Sequence, residues 1–175
     1  MSKAVLISIR PKWCEKIINR QKTIEVRRTR PKMNPPFKCY IYCTASRPDL
    51  NIPISYERLM RDYLETGSME SLNCPLGNGK VIGEFLCDQI ININGAGRIL
   101  SDAARPTCLE PAELHRYLGA ATGFGWHISN LKIYNTPREL WEFTGLREVK
   151  FGWEPGPITR PPQSWRYVEE ELWSD

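Results

Sequence analysis

The hydrophobic positions of the chain switch repeatedly between a two-residue period and a 3.6-residue period. Short apolar runs and alternating stretches predict strands, whereas apolar residues three and four apart predict helices. The predicted strands are Lys3–Ile9, Thr23–Arg28, Lys38–Thr44, Lys80–Ile93 and Gly125–Tyr134. Predicted helices start at Pro11, span Tyr56–Leu64 and Glu110–Leu118, and start again at Thr136-Pro137-Arg138-Glu139, which has the residues of a capping box.

These elements predict a mixed α/β (α+β) fold. Five to six strands interleaved with short helices, without regular βαβ spacing, favour a small β-barrel with helices packed outside. Residues 47–78 have little periodicity and are too few for a core of their own, so we interpret them as an insertion into a single domain spanning residues 1–175. The prolines that follow residue 147 predict a mostly extended C-terminal tail.

The strand Thr23–Arg28 carries the densest group of charges. Its apolar residues face one side, and Glu25 and Arg27 face the other, so we expect one apolar and one polar face. Lys22 lies where the preceding helix meets this strand. A carboxylate between two cations keeps its charge and orients both of them. The group either presents a fixed cation to a phosphate or carbonyl, or forms a structural ion pair at the corner.

The net charge of +4 is unevenly distributed along the chain. Residues 1–50 contain 12 Lys and Arg against 3 Asp and Glu, a net of +9. Residues 51–175 contain 12 basic against 17 acidic residues, a net of −5. This asymmetry is typical either of an anion-binding face, for nucleic acid above all, or of a solvated basic surface.

Composition excludes several classes of protein. The 175 residues are 41% hydrophobic and 25% charged, as in folded globular domains. The apolar run that ends at Arg10 is too short for a signal-peptide core, and no run reaches the roughly 18 residues of a membrane helix. Six cysteines without a CxxC pair, and only two histidines, predict reduced thiols, no metal and no other cofactor. We therefore expect a cytoplasmic protein.

The order of several motifs resembles that of the ASCH domain, a PUA-like β-barrel family whose usual signature is GxKxxExR. The corresponding segment here is Arg20-Gln21-Lys22-Thr23-Ile24-Glu25-Val26-Arg27, with Arg20 in place of the glycine. Further similar segments are Tyr40–Ser46, Gly79–Phe85 and Gly125–Ser129. The tail, Pro161–Tyr167, resembles the close of phage- and prophage-type members. The resemblance covers most of the chain outside residues 47–78.

This resemblance implies a PUA-like barrel with a cleft that binds RNA or another nucleic acid. The family also includes a small bacterial amidohydrolase that deacetylates N4-acetylcytidine with a lysine, a threonine and a glutamate, and ribonuclease activity has been associated with it. Lys22 matches the lysine, and Glu25 stands at the position of the threonine. Because a nearby carboxylate favours the charged form of Lys22, the pair suits binding better than nucleophilic catalysis.

We therefore predict a nucleic-acid-binding module, with RNA preferred over DNA as the partner. The expected cleft residues are Lys22, Glu25, Arg27, Thr44 and Ser46, and the expected rim residues are Arg28, Arg30, Lys32 and Lys38. Trp126 either stacks on a base or belongs to the core, and His127 is either an acid–base group or a structural residue. The alternatives are a hydrolase of a modified nucleoside or RNA that uses Lys22 and Glu25, and an accessory domain that binds an acidic protein.

Overall fold

Eight strands and three helices make up the part of the chain that the computed structural model describes, which is residues 2–67, 74–93, 107–119 and 121–171. The strands are β1 (Lys3–Ile9), β2 (Ile24–Arg27), β3 (Phe37–Cys43), β4 (Val81–Ile93), β5 (Gly123–Arg138), β6 (Thr144–Val149), β7 (Gly152–Pro157) and β8 (Trp165–Glu169). The helices are α1 (Pro11–Ile18), α2 (Tyr56–Thr66) and α3 (Pro111–Leu118). A 3-10 turn spans Leu140–Glu142. None of the helices in the described ranges is long and apolar enough to cross a membrane.

All eight strands form one sheet in the order β2-β5-β4-β3-β1-β8-β6-β7. β1 and β3 are parallel, with Ile9 opposite Cys43, whereas the other pairings are antiparallel. The carboxyl ends of two adjacent parallel strands lie at the same edge of a sheet. This register therefore brings the residues after β1 and after β3 together, and a cavity opens at that edge.

β1 is apolar on both faces because the sheet is covered on both sides. Val5, Ile7 and Ile9 belong to one core cluster, which also contains Cys14 and Ile17 of α1. The intervening Ala4 and Leu6 belong to a second cluster, together with Tyr40 and Phe143. α1 begins at Pro11, as the sequence predicts, since proline at the first helical position loses no intrahelical hydrogen bond.

The predicted number of strands, five to six, is wrong because the C-terminal residues form more structure than their prolines indicate. The segment after residue 147 was expected to be mostly extended loop, but it includes β7 and β8. β8 pairs with β1, with Val168 opposite Ala4, and so joins the centre of the sheet. The prolines at 155 and 157 lie in β7, which is the edge strand, where a missing N–H leaves no ladder bond unmade.

Two further local predictions change. Thr136-Pro137-Arg138 does not start a helix; these residues continue β5, in which Arg138 pairs with Val81. The capping box is instead formed by Glu139 and Glu142 around the single 3-10 turn.

The predicted polar face of β2 is not solvent-exposed, because Glu25 and Arg27 are only 6% and 8% exposed. The helix predicted over Tyr56–Leu64 is present as α2, while residues 68–73 of the predicted insertion lie outside the described residues. All six cysteines are free thiols.

Candidate nucleic-acid interface

A cavity of about 810 Å³ opens at the sheet edge where β1 and β3 end. Its walls come from the ends of these strands, from β2, from α1 and α3, and from residues 161–164, which precede β8. Five cations line it, namely Arg10, Lys22, Arg27, Arg28 and Arg116, against the two carboxylates of Glu25 and Glu113. The lining therefore carries an excess of positive charge.

Lys22 forms part of the cavity floor and is only 2% exposed. Its Nζ donates hydrogen bonds to the carbonyl oxygens of Ile24, at 2.9 Å, and Thr107, at 2.7 Å. The same atom lies 3.3 Å from Oε2 of Glu25 and 5.3 Å from the ring centroid of Trp13. Two of the three ammonium hydrogens are therefore used by backbone carbonyls, and the carboxylate of Glu25 balances the buried positive charge.

Glu25 and Arg27 complete a buried triad with Lys22. One Nη of Arg27 lies 2.9 Å from Oε1 of Glu25 and donates to the backbone oxygen of Ser8 at 2.6 Å. The other Nη donates to Oγ of Ser164 at 3.4 Å. Oε2 of Glu25 accepts no hydrogen bond from the described residues, although it faces Lys22. The carboxylate thus lies between two cations, as the spacing along β2 suggests.

Three exposed arginines surround this buried floor: Arg10, Arg28 and Arg116. Arg10 is the residue before α1, and Arg116 lies on the last turn of α3. The guanidinium of Arg28 donates to the backbone oxygen of Tyr117 at 2.8 Å and lies 5.3 Å from its ring centroid. This contact ties the end of β2 to α3, so the rim is assembled from three separate elements.

Residues 161–164 form one wall of the cavity and are hydrogen-bonded to β1. Oγ of Ser8 donates to the backbone oxygen of Pro162 at 2.6 Å, and the Ser8 N–H donates to that of Ser164 at 2.9 Å. Pro161 and Pro162 have fixed φ angles, which further limits the movement of this wall. Ser8, Ser164 and Gln163 thereby place hydroxyl and amide groups at the cavity.

Thr44 lies in the cavity lining just after β3, whereas Ser46, the other hydroxyl residue predicted for the cleft, is not among the lining residues. Oγ1 of Thr44 lies 2.8 Å from Oγ of Ser46, so the two hydroxyls share a hydrogen bond. Ser46 therefore supports Thr44 from outside the cavity, and its backbone oxygen accepts from the Asn78 side chain at 2.7 Å.

Three of the four expected rim residues lie elsewhere. The ammonium of Lys38 is 3.7 Å from Glu84 and 3.5 Å from Glu170. Lys32 pairs with Glu148 at 3.3 Å on the surface. The guanidinium of Arg30 lies 5.8 Å from the ring of Phe124. The basic N-terminal third is therefore divided over several surfaces, and only Arg28 of the predicted rim lines the cavity.

Trp126 and His127 point in opposite directions from β5. Trp126 is fully buried in the core, in edge-to-face contact with Phe37 at a centroid distance of 5.9 Å, and it is not among the residues that line the cavity.

Nδ1 of His127 lies 2.6 Å from Oδ1 of Asp88. This hydrogen bond holds the pKa of Asp88 below its ordinary value. His127 thus belongs to a half-exposed pair on β4 and β5.

One cysteine, Cys14, is influenced by the charges of the triad. Burial raises the pKa of its thiol well above the ordinary value, and the negative charge of Glu25 acts in the same direction while Arg27 acts against it. Its S–H donates to the backbone oxygen of Ile9 at 3.5 Å. Cys14 is therefore a buried core thiol.

Sequence reasoning missed Arg10, Trp13, Arg116 and Tyr117 as cavity residues. Arg10 and Trp13 flank the predicted helix start, and Arg116 and Tyr117 occupy the exposed positions of α3 beside the buried Leu114 and Leu118. Helical periodicity identifies these as outward-facing positions. It does not say that α3 packs beside β2, which depends on the contact between distant parts of the chain.

Solved structures show which fold this is. The ASCH protein from Zymomonas mobilis has 18% sequence identity and a TM-score of 0.53, over 95% of this chain and 88% of its own. A tyrosine-to-phenylalanine variant of that protein gives 16% identity and a TM-score of 0.54, over 95% and 91%. No protein-family model and no curated protein matches the sequence. The chain has an ASCH-type fold, and the predicted mixed α/β class is confirmed.

Proposed function

We propose that the chain is an RNA-binding module and that its cavity receives a nucleotide of a single strand. The observation that carries this proposal is the excess of cations around a floor whose own charges are already paired. Arg10, Arg28 and Arg116 lie on the exposed rim, where they meet a phosphate without losing a buried partner. The cavity volume of about 810 Å³ lies within the range of pockets that enclose small ligands.

The polar groups of the cavity support RNA over DNA. Thr44, Ser164 and Gln163 offer hydroxyl and amide groups that pair with a ribose 2′-hydroxyl, which DNA lacks. Tyr117 is partly exposed at the rim and offers a face for base stacking. The triad of Lys22, Glu25 and Arg27 keeps the floor polar and rigid beneath these groups.

Removing two rim charges should weaken RNA binding and reduce its dependence on salt. The Arg10→Ala, Arg116→Ala double variant should lose roughly tenfold in affinity for a single-stranded RNA, since charge-assisted hydrogen bonds to phosphate are removed. The slope of log affinity against log salt should become shallower by about 0.7 for each phosphate that the variant no longer neutralises. Fluorescence anisotropy titrations over a salt series measure both quantities.

Arg61→Ala is the matched control, because Arg61 is an exposed arginine on α2 that lies outside the cavity lining. It should leave affinity and slope unchanged. A DNA strand of the same sequence tests the preference for ribose, and it should bind the unaltered protein more weakly than the RNA strand does. A flat salt titration of the unaltered protein, or a rim variant that binds as well as Arg61→Ala, contradicts the proposal.

A second candidate function is hydrolysis of an acylated nucleoside. It is favoured by Oε2 of Glu25, a buried carboxylate oxygen that accepts no hydrogen bond from the described residues and lies in the cavity lining. Such an oxygen takes a proton from water as the water oxygen bonds to the acetyl carbonyl of N4-acetylcytidine. It then returns the proton to N4 as the C–N bond breaks, which yields acetate and cytidine. The surroundings of Lys22 favour the binding function, because its ammonium donates to two carbonyl oxygens and forms an ion pair with Glu25, which keeps it a charged group.

Incubation with N4-acetylcytidine separates these two functions. For a binding module, we expect no acetate above the level of a protein-free sample when the products are resolved by liquid chromatography. Turnover that disappears in Glu25→Gln, measured on folded protein, would instead assign the reaction to this carboxylate. Turnover that persists in Glu25→Gln would remove the residue from the mechanism.

A further inference from the structure

A second basic pocket lies on the other side of the wall formed by residues 161–163. It has a volume of about 610 Å³ and is lined by residues of β6 and β8 and of the segment between β7 and β8. Its charged lining residues are Arg147, Arg160 and Arg166, and no carboxylate is among its lining residues in the described part of the chain. Pro161, Pro162 and Gln163 line this pocket and also the first cavity. We call these three residues the ridge.

Arg166 is held in place by its packing against Gly145. A Cβ atom on Gly145 would lie 2.8 Å from Cζ of Arg166 and closer still to one Nη, so the guanidinium is in direct contact with the glycine. A larger residue at 145 would displace it. The Nε of Arg166 is buried and has no hydrogen-bond partner among the described residues, so this nitrogen does not neutralise the charge through a carboxylate. The guanidinium is therefore a fixed positive charge in the lining of the pocket.

The two other arginines, Arg147 and Arg160, are more exposed than Arg166. Arg160 forms no ion pair with any residue that the structure describes, and Arg147 pairs with Glu154, which lines the neighbouring pocket. Three guanidinium groups around one concave surface raise its positive potential, because the low-dielectric walls focus the field. Guanidinium groups match the geometry of phosphate oxygens and bind them through paired hydrogen bonds.

An aromatic side chain completes the pocket. Trp165 lines it and is half-buried, with its indole N–H donating to Oγ1 of Thr29 at 3.0 Å. Cationic grooves with an accessible aromatic ring are typical of single-strand binding surfaces. The combination of three arginines and a tryptophan thus favours a nucleotide over a free inorganic anion.

We propose that this pocket is a second subsite for the same RNA strand. One nucleotide occupies the first cavity, the backbone crosses the ridge, and a phosphate of a neighbouring nucleotide binds Arg147, Arg160 and Arg166. The inference rests on the proposed RNA binding and adds to it the path of the strand. The ridge suits this crossing because its two prolines and the Ser8 hydrogen bond to Pro162 fix its position.

The test compares a mononucleotide with a longer strand. Uridine 5′-monophosphate is too short to span both subsites and should occupy the first cavity, which has the larger volume and the hydroxyl and amide groups, whereas an oligouridylate of about ten nucleotides spans both. The Arg147→Ala, Arg160→Ala double variant removes two exposed charges and spares the packed Arg166. For the oligonucleotide it should lower affinity roughly tenfold and make the salt slope shallower by about 0.7 for each phosphate left without a cation. For the mononucleotide, affinity should stay unchanged.

The outcomes separate this inference from the function on which it rests. If the first-cavity variant Arg10→Ala, Arg116→Ala weakens oligonucleotide binding but the Arg147→Ala, Arg160→Ala variant behaves like Arg61→Ala, the second subsite is overturned and RNA binding stands. If the unaltered protein binds no oligonucleotide, both proposals fail. If the Arg147→Ala, Arg160→Ala variant loses the same affinity for an RNA strand as for a DNA strand, this supports a phosphate contact in the pocket. If it loses as much affinity for the mononucleotide as for the oligonucleotide, the assignment to a separate subsite is overturned.

Discussion

Replacing Glu25 by alanine should lower the free energy of unfolding by about 3–5 kcal/mol, the range for breaking one partner out of a buried ion pair. Lys22, Glu25 and Arg27 are all below 9% exposure. Glu25 lies 3.3 Å from one cation and 2.9 Å from the other, so its removal leaves two buried positive charges facing one another. Urea unfolding followed by circular dichroism measures the change.

A surface pair provides the control for this prediction. Glu148 lies 3.3 Å from Lys32, but both side chains are more than half exposed. Glu148→Ala should cost at most about 1 kcal/mol, as is usual for solvated pairs. The loss in free energy of unfolding for Glu25→Gln should lie between those of Glu25→Ala and Glu148→Ala. The glutamine side-chain oxygen still accepts a hydrogen bond from Arg27, but it no longer balances the charge of Lys22 or Arg27. Equal destabilisation by Glu25→Ala and Glu148→Ala would show that the triad is not maintained in solution.

The expected cost bears on function as well as on stability. An apolar trio of similar size is often as stable as a buried ion-pair network, or more stable. The chain instead places three charges at the floor of its main cavity, where the carbonyl oxygens of Ile24 and Thr107 hold Lys22. This arrangement supports the proposed binding of a polar ligand. It also means that substitutions of the triad report on folding, so the exposed rim arginines give the clearer test of binding.

Local periodicity accounts for the elements that the sequence predicts well. The bounds of β1 and α3 and the first residue of α1 lie within one residue of the prediction, since their buried positions recur at strand or helix spacing. β7 and β8 were missed because strand pairing between distant segments overrides local signals. Prolines normally argue against a strand, but β7 is the edge of the sheet, and β8 is stabilised by pairing with β1.

The residues of the candidate site also differ in whether local sequence could predict them. Lys22, Glu25 and Arg27 are close in sequence, so their spacing along one strand was enough to group them. The rim was not predictable in this way, because Arg10 and Arg116 come from elements that meet only in the folded chain. Lys38 was predicted for the rim because it belongs to the basic N-terminal third. It lies outside the cavity lining and pairs with Glu84 and Glu170 instead. Net charge along a segment does not specify the surface on which each charge lies.

Trp126→Ala should lower the free energy of unfolding by about 3–5 kcal/mol, because removing a buried tryptophan leaves a large cavity in the core. Trp126 is fully buried and lies 6.0 Å from Trp165 and 5.9 Å from Phe37, measured between ring centroids. Trp126→Phe should cost less, since it retains an aromatic ring and Nε1 has no acceptor among the described residues. Chemical unfolding measures both variants, and Trp141→Ala, at an exposed position, should change stability by only about 0.5 kcal/mol.

RNA titration of Trp126→Phe decides between the two roles that the sequence left open for this residue. Trp126 is the cross-strand partner of Glu25, and such partners share a face of the sheet, so the indole lies beside the triad. A core role predicts that the folded phenylalanine variant binds RNA as tightly as the unaltered protein. A decrease in affinity as large as that of the rim variant, in a protein that remains folded, would mean that the cavity opens onto the indole when the strand binds.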